Sequence, residues 1–484
     1  MSFGARVIAA LGWTAGGRLV AQVVAWGVTI VVMRILDPTD YGLLAMATVL
    51  TGFAGLFASL GLGGAVVHAR EIDTATLRGV FGMVIAMNCG LFVVVYFTAP
   101  AVAIFFGEDR LTAIIRVIAI QFLVGVIGVI PDSMLARELE FKRRALLELS
   151  ASIVGAATTL ALALAGWGVW SLVYGSLVGA TWSAVGLNFI RPFFHLPILA
   201  FRRLRELFAF GGYVIMSRML LYTYLQADMV IGGRFLGKEQ VGYYSVGMHL
   251  ASLPVQRISA ILNEVAFPAF ARIQDERERV ARYLLQSIRL LSLLSFPVFW
   301  GIAVVAPEFV RVLLGDKWEP AILPLQLLAF LMPVRMIGQL MPPTLQGIGQ
   351  AKLVARNQLQ ACVVMVIAFL VGVRYGIIGL SLAWLVAFPL VFLVNLRTWL
   401  PVLGMPANQL LGAMARPAVA AAGMFGAVAA ARLVDVPAGA HALTFLVLVG
   451  VASYVALSFA INREGVRDLT SLVQGRRSRA PRIS

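Results

Sequence analysis

Residues 79–106 read GVFGMVIAMNCGLFVVVYFTAPAVAIFF. No charged side chain interrupts this stretch. At about 1.5 Å per residue, a helix of that length is longer than the roughly 30 Å of hydrocarbon in a bilayer. A helix on the surface of a soluble protein would need a polar stripe, and this one has none. It reads as a membrane span. Blocks of the same kind recur on both sides, at 12–35, 42–67, 111–134, 147–165, 168–190, 210–235, 242–268, 287–314, 320–346, 358–375, 377–399, 412–432 and 440–461. The expected fold is an all-α polytopic membrane protein of fourteen transmembrane helices.

Composition agrees with that fold. The chain has 484 residues, 60% hydrophobic and 13% charged, where a soluble domain carries about 25% charged residues. A disordered chain, a nucleic-acid-binding domain and a cytosolic enzyme are excluded. The first block is too long for the apolar core of a cleaved leader and reads as a retained span. Cys89 and Cys362 sit inside apolar blocks, and the four histidines form no ligand cluster, so neither a disulfide framework nor a metal site is expected.

The formal net charge of +16 follows from topology. With both termini in the cytoplasm, 25 of the 39 basic residues fall in cytoplasmic segments, seven in outer loops and seven within spans. Lys and Arg collect on the cytoplasmic side of membrane proteins, so this excess fixes the orientation. The stretch Phe270–Gln286 (FARIQDERERVARYLLQ) is amphipathic and is expected along the membrane surface, and the tail 463–484 is basic and cytoplasmic. Contact with anionic membrane lipids is the expectation for both.

An internal repeat organises the chain. At an offset of 200, Arg18 falls on Arg218, Arg34 on Arg234, Leu36 on Leu236 and Gly42 on Gly242. At an offset of 210, Leu135 falls on Leu345, Lys142 on Lys352, Gly166 on Gly376, and Ser171-Leu172 on Ser381-Leu382. Both halves enter the membrane in the same direction, which means a parallel repeat about an axis along the membrane normal. The expected domains are a six-helix bundle at 1–200, a second at 201–400, helices 13 and 14 at 401–462, and the tail. Two such bundles would leave a central cavity.

The stretches Arg34–Gly42 (RILDPTDYG), Arg234–Tyr244 (RFLGKEQVGYY), Phe267–Gln274 (FPAFARIQ) and Val304–Pro320 (VVAPEFVRVLLGDKWEP) resemble the polysaccharide-transport branch of the MOP flippase superfamily. The second-half segment is similar to Wzx-type exporters of the colanic-acid kind. The resemblance covers about residues 10–400. It implies a flippase of the bacterial inner membrane that moves undecaprenyl-diphosphate-linked oligosaccharide to the outer leaflet by alternating access, for exopolysaccharide or lipopolysaccharide biosynthesis. A polysaccharide polymerase and glycosyltransferases are the implied companions. In related lipid II flippases, arginines on spans 1, 2 and 8 face the cavity. Arg18 matches the first and Arg257 the third, but the second span here, 42–67, has no arginine. That departure argues against lipid II as the substrate.

The seven arginines within spans are Arg18, Arg116, Arg218, Arg257, Arg289, Arg311 and Arg335. Each would cost about 2.5–3.5 kcal/mol at a helix centre, so they must snorkel, pair or line a wet cavity. Arg116, Arg289 and Arg311 lie near span ends, where snorkelling and structural roles are expected. Arg18, Arg218, Arg257 and Arg335 are the candidates for an anionic headgroup, because guanidinium grips phosphate oxygens two at a time. Gln22, Tyr222, Gln256, Asn263 and Gln339 lie on the same or adjoining helix faces and are the candidates for sugar contact. Asp228 and Glu264 are the candidates for H+ or Na+ coupling, with salt bridging the competing role; the membrane potential is the other driving force, and no bound cofactor is expected. Asp132 and Glu308 also read as buried acids, with Glu148 at a span edge. Pro254, Pro333, Pro342 and Pro343 read as helix breaks, serving either as bends for rocking or as packing kinks. A cation-coupled multidrug or metabolite antiporter of the same superfamily is the alternative, but it would favour acids over bases in the spans. A membrane-embedded sugar polymerase or ligase would need a large outer loop or a catalytic cluster, and the sequence has neither. A non-transporting scaffold would not need such wide polar faces.

Overall fold

The computed structural model describes residues 26–58, 73–138, 140–198, 201–272 and 276–434, with 437, 439–463, 465 and 467; Phe141, 201–218 and 256–272 are described by backbone alone. Among the described residues every regular element is a helix. They are α1 (Trp26–Ile35), α2 (Pro38–Ala58), α3 (Thr74–Phe106), α4 (Arg110–Arg137), α5 (Phe141–Leu164), α6 (Val169–Ile190) and α7 (Phe201–Arg272). Then come α8 (Arg277–Leu313), α9 (Ile322–Gly338), the short α10 (Met341–Gly347), α11 (Ala351–Gly372), α12 (Gly376–Leu403), α13 (Ala407–Ala431) and α14 (Ala440–Ile461). In hydrocarbon a helix is the one open segment that satisfies its own backbone, which accounts for a strand-free set of elements among the described residues.

Ten described segments are long and apolar enough to cross a bilayer. They account for every expected block except 12–35, which lies mostly outside the described residues, and 210–235 and 242–268, which lie on α7. Large apolar side chains point away from the protein; Phe97 is 72% exposed and Ile104 77%. Water would penalise such a surface, whereas lipid accepts it. The chain is a multi-pass membrane protein.

It packs as two units, Met1–Gly242 and Tyr243–Ser484. In the first, Leu43, Met46, Ala99, Ile114, Ile115 and Val173 build a core shared by α2, α3, α4 and α6. α5 and α6 approach closely because both offer glycine: a Cβ on Gly175 would overlap the Thr159 hydroxyl and crowd the carbonyl of Gly155. Small residues of this kind let membrane helices gain backbone contact where the hydrophobic effect supplies little. In the second unit, fully buried Trp318 meets Tyr243 edge-on at 6.1 Å, and Phe369 packs on Trp384.

The RILDPTDYG stretch works as a joint. Asp37 precedes α2, Pro38 opens it, and the carboxylate of Asp40 reaches back to accept the Asp37 N–H at 3.2 Å. Proline and an acid suit a first helical turn. The other carboxylate oxygen of Asp40 accepts the Val169 N–H at 2.9 Å, capping α6 across 129 residues of chain. Gly42 abuts the backbone of Lys238, and a Cβ there would overlap its carbonyl; a Cβ on Gly242 would overlap the carbonyl of Pro38. With the offset of 200, Pro38 corresponds to Lys238 and Gly42 to Gly242. The contact is therefore reciprocal, each glycine meeting the other's helix start.

Other positions paired by these offsets share local features. α1 breaks before α2 at Asp37, and its counterpart Gly237 kinks α7 with φ 80° and ψ 175°. Gly166 and Gly376 both take positive φ, 79° and 69°. Ser171 and Ser381 are both fully buried, each donating to a carbonyl in its own turn at 2.7 and 2.9 Å. Of the expected proline breaks, Pro342 and Pro343 open α10, Pro333 lies within α9, and Pro254 lies within α7.

A Cβ at the reciprocal joint can be accommodated only by moving backbone. Gly42→Ala and Gly242→Ala are expected to destabilise by about 1–3 kcal/mol each, read as a lower melting temperature of the purified protein. Gly55→Ala, which meets open space, is the control expected to leave melting unchanged.

Candidate functional site

Of the polar residues singled out in the sequence, Arg18 and Gln22 lie outside the described residues. Arg218, Gln256, Arg257, Asn263 and Glu264 fall on α7 where only the backbone is described. Tyr222, Asp228, Arg335 and Gln339 have described side chains, two in each unit.

Tyr222 and Asp228 belong to the first unit. The Tyr222 hydroxyl donates to the Val49 carbonyl at 2.9 Å, and its ring meets Phe53 edge-on at 6.0 Å. Gly52 makes room for that hydroxyl. The residue thus ties α7 to α2. Asp228 is 1% exposed, and one carboxylate oxygen accepts the Met229 N–H at 2.8 Å. An acid held this deep in a membrane helix has to be compensated or functional.

Arg335 and Gln339 belong to the second unit. Arg335 is in the last turn of α9, where the helix dipole favours a cation. Its guanidinium carbon lies 4.5 Å from the centre of the Trp384 ring on α12, and one N–H is 3.8 Å from the sulfur of Met248 on α7. The Trp384 face is fully buried, while Arg335 itself is half-buried. A cation over a desolvated indole gains up to about 2 kcal/mol. Gln339, one turn on, is half-buried, and its backbone N–H donates to the Arg335 carbonyl at 3.1 Å.

The setting of Arg335 differs from that of other charges in the helices. Asp132 is paired with Arg144 at 2.9 Å, and Arg144 also holds Glu148 at 3.2 Å. Arg432 holds Glu308 at 2.7 Å, Lys238 holds Glu108 at 2.6 Å, Arg191 holds Glu138 at 2.7 Å, and Arg311 pairs with Glu319. Asp132 and Glu308 read as buried acids in the sequence. The structure places them at helix ends, where the Asp132 side chain is 37% exposed, each neutralised by an arginine. Arg116 lies 4.5 Å over the Tyr96 ring and donates to the Tyr96 carbonyl at 3.3 Å. Among the described residues Arg335 has no carboxylate partner. A half-buried guanidinium held by a π face and a sulfur keeps its hydrogen-bonding fork for an anion.

The sequence reading singled out Arg335 but missed Trp384 and Met248, since one aromatic and one thioether in apolar spans look like ordinary core. An Arg335→Met, Trp384→Phe double-mutant cycle is expected to yield about 1 kcal/mol of coupling in thermal unfolding. Additive single effects would reduce the ring to a bystander.

Three relatives span much of the chain. The "Uncharacterized membrane protein in cps region" of Klebsiella pneumoniae is 25% identical over 80% of this chain and 80% of its own length. The teichuronic acid biosynthesis protein TuaB of Bacillus subtilis is 26% identical over 72% and 73%. The succinoglycan biosynthesis transport protein ExoT of Rhizobium meliloti is 28% identical over 66% and 65%. Among solved structures, the lipid II flippase MurJ in an inward closed conformation matches with a TM-score of 0.76 at 14% identity, covering 94% of this chain and 99% of that one. An inward-facing multidrug resistance MATE family transporter of the MOP superfamily matches with a TM-score of 0.60 at 17% identity, over 79% and 96%. At such identities these structures speak to the fold alone. The family model described as "Polysaccharide biosynthesis protein" matches residues 31–323, more than half of the sequence, and the chain belongs to that family.

Proposed function

We propose that the protein is a flippase that carries undecaprenyl-diphosphate-linked oligosaccharide from the cytoplasmic to the outer leaflet of the bacterial inner membrane, by alternating access. Membership of the polysaccharide biosynthesis family supports this reading, as does a relative whose name makes it a transport protein for an exopolysaccharide. The observation that carries it is Arg335, a half-buried guanidinium in an apolar helix with no carboxylate partner among the described residues. A diphosphate supplies several acceptor oxygens to such a fork. An antiporter for cationic drugs would instead need acids open to its substrate, and Asp132, Glu138 and Glu308 are each occupied by an arginine.

In this reading the chain has fourteen spans, as two six-helix bundles and two C-terminal helices, with both termini in the cytoplasm. It transports and performs no catalytic step. Arg18, Arg218, Arg257 and Arg335 draw in the anionic headgroup, and Gln22, Tyr222, Gln256, Asn263 and Gln339 contact sugars. Glycosyltransferases supply the substrate and a polymerase consumes it. Asp228 and Glu264 couple the cycle to H+ or Na+.

The test is genetic. In a bacterium lacking its own exopolysaccharide flippase, this gene is expected to restore polymer at the surface. Arg335→Ala combined with Arg257→Ala is expected to lower export at least about tenfold, the equivalent of roughly 1.4 kcal/mol, at equal protein level. Drug resistance without any polymer phenotype would establish the antiporter instead. For coupling, Asp228→Asn keeps the shape and removes the charge. Export in this variant is expected to lose its response to a collapsed proton or sodium gradient, and a retained response would take Asp228 out of the coupling step.

A further inference from the structure

The stretch that leaves α6, residues 191–198 (RPFFHLPI), belongs to no helix. It is nevertheless fixed to the first three turns of α3. The Arg78 Nε–H donates to the Leu196 carbonyl at 2.8 Å, and the Ile198 N–H donates to the Arg78 carbonyl at 3.0 Å. Phe193 meets Phe81 edge-on at 5.4 Å and packs on the core that α3 and α4 build around Val84 and Ile130. Gly82 makes room for the chain, since a Cβ there would overlap the Ile198 carbonyl. While Phe193 turns inward, Phe194 and Leu196 are 84% and 78% exposed.

Two helices set the depth of this stretch in the bilayer. The uncharged run of α3 from Gly79 to Phe106 is about 42 Å long, against roughly 30 Å of hydrocarbon. Centred on the bilayer, it places Gly79 about 6 Å outside the hydrocarbon and Gly82 within about 2 Å of its edge. α6 gives the same level independently. It runs for 22 residues and ends at Ile190, a length of about 33 Å that just spans the hydrocarbon. Arg191 follows and pairs with Glu138 at 2.7 Å. Phe189, in the last turn of α6, is 83% exposed, as a side chain facing lipid would be.

We propose that residues 191–198 form an interfacial anchor, with Phe194 and Leu196 seated in the boundary layer between lipid headgroups and acyl chains. The backbone suits that layer. Hydrocarbon itself would reject a non-helical segment, but Pro192 and Pro197 have no N–H to satisfy. The N–H groups of Arg191 and Ile198 donate to the carbonyls of Leu187 and Arg78. Water would penalise the exposed phenyl and isobutyl groups, whereas the boundary layer accepts them. Phe189 carries the lipid-facing surface to within five residues of Phe194, which is why a bilayer fits this surface rather than a second protein. Phe201, where α7 begins, is three residues beyond Ile198 and so no more than about 11 Å from it. The anchor therefore holds the entry of α7 at the membrane surface. The inference concerns how the chain sits in the bilayer and is independent of what it carries.

Spin labelling of the full-length protein in nanodiscs of phosphatidylcholine and phosphatidylglycerol provides the test. Cys89 and Cys362 are replaced by alanine, and single cysteines are placed at Phe194, at Leu196 and at two controls. One control is Val94, at the middle of the α3 run and exposed; the other is Arg143, an exposed side chain at the start of α5. Phe194 and Leu196 are exposed, so a label at either disturbs no packing. Power saturation is expected to give Phe194→Cys and Leu196→Cys a ratio of oxygen to nickel-chelate accessibility several-fold above that of Arg143→Cys and below that of Val94→Cys. A ratio equal to that of Arg143→Cys would put the stretch in water, and one equal to that of Val94→Cys in the hydrocarbon core. Low accessibility to both reagents would put it under a second protein. Any of these three results overturns the proposal.

Discussion

Hydrocarbon offers no hydrogen bonds, so backbone groups and charges in the spans have to find partners within the protein. This requirement accounts for the helical backbone and for the way side chains are handled. Hydroxyls fold back on their own helix, as Thr51 does to the Ala47 carbonyl and Thr344 to the Leu340 carbonyl at 2.7 Å. Amides bridge helices, as Asn188 does from α6 to the Ile127 carbonyl on α4 at 2.7 Å. Charges pair near helix ends, where Arg191 meets Glu138 and Arg432 meets Glu308. Against that background Arg335 stands out, because its neighbours are polarisable and apolar rather than anionic.

The same constraint explains the glycines. Lipid tails are as apolar as leucine, so helices in a membrane gain little by hiding leucine from them and gain more by close backbone approach. Gly155, Gly175 and Gly179 bring α5 against α6, and Gly372 meets Gly379 where α11 turns into α12. The reciprocal contact of Gly42 and Gly242 is the sharpest case. Each glycine there faces a backbone carbonyl at the start of the other helix, so a side chain on either one would push the two helices apart.

Much of the fold was legible because lipid imposes long blocks. The apolar runs marked where the helices from α2 to α6 and from α8 to α14 lie, the short α10 completing the block with α9, but not all of their ends: α8 begins at Arg277, ten residues before its block, and α11 at Ala351, seven before. Gly166 and Gly376, matched only as letters in a repeat, both take positive φ. Individual partners were not legible. Asp40 caps a helix 129 residues away, and Lys238 finds Glu108 across 130; no periodicity reports such pairings. Asp132 and Glu308 were misread because hydropathy averages over a window, so a charge at the end of a helix inherits the apolarity of its interior. Trp384 could not be told from core, since only the arginine above it gives the ring a role.

The distribution of arginine carries the last step. Lysine is nearly absent, at Lys142, Lys238, Lys317 and Lys352, while arginine supplies the rest of the basic residues. If the positive charge served orientation alone, either residue would do, since the rule reads charge. Guanidinium differs in being planar, weakly hydrated and able to present paired N–H groups to oxygen. One described arginine lies where those properties count: Arg335, against an indole face. An ammonium in that place would hold its hydration more strongly and could not lie flat on the ring. The preference for arginine therefore fits a chain that handles phosphate-bearing lipids better than one that only needs to know which side is in.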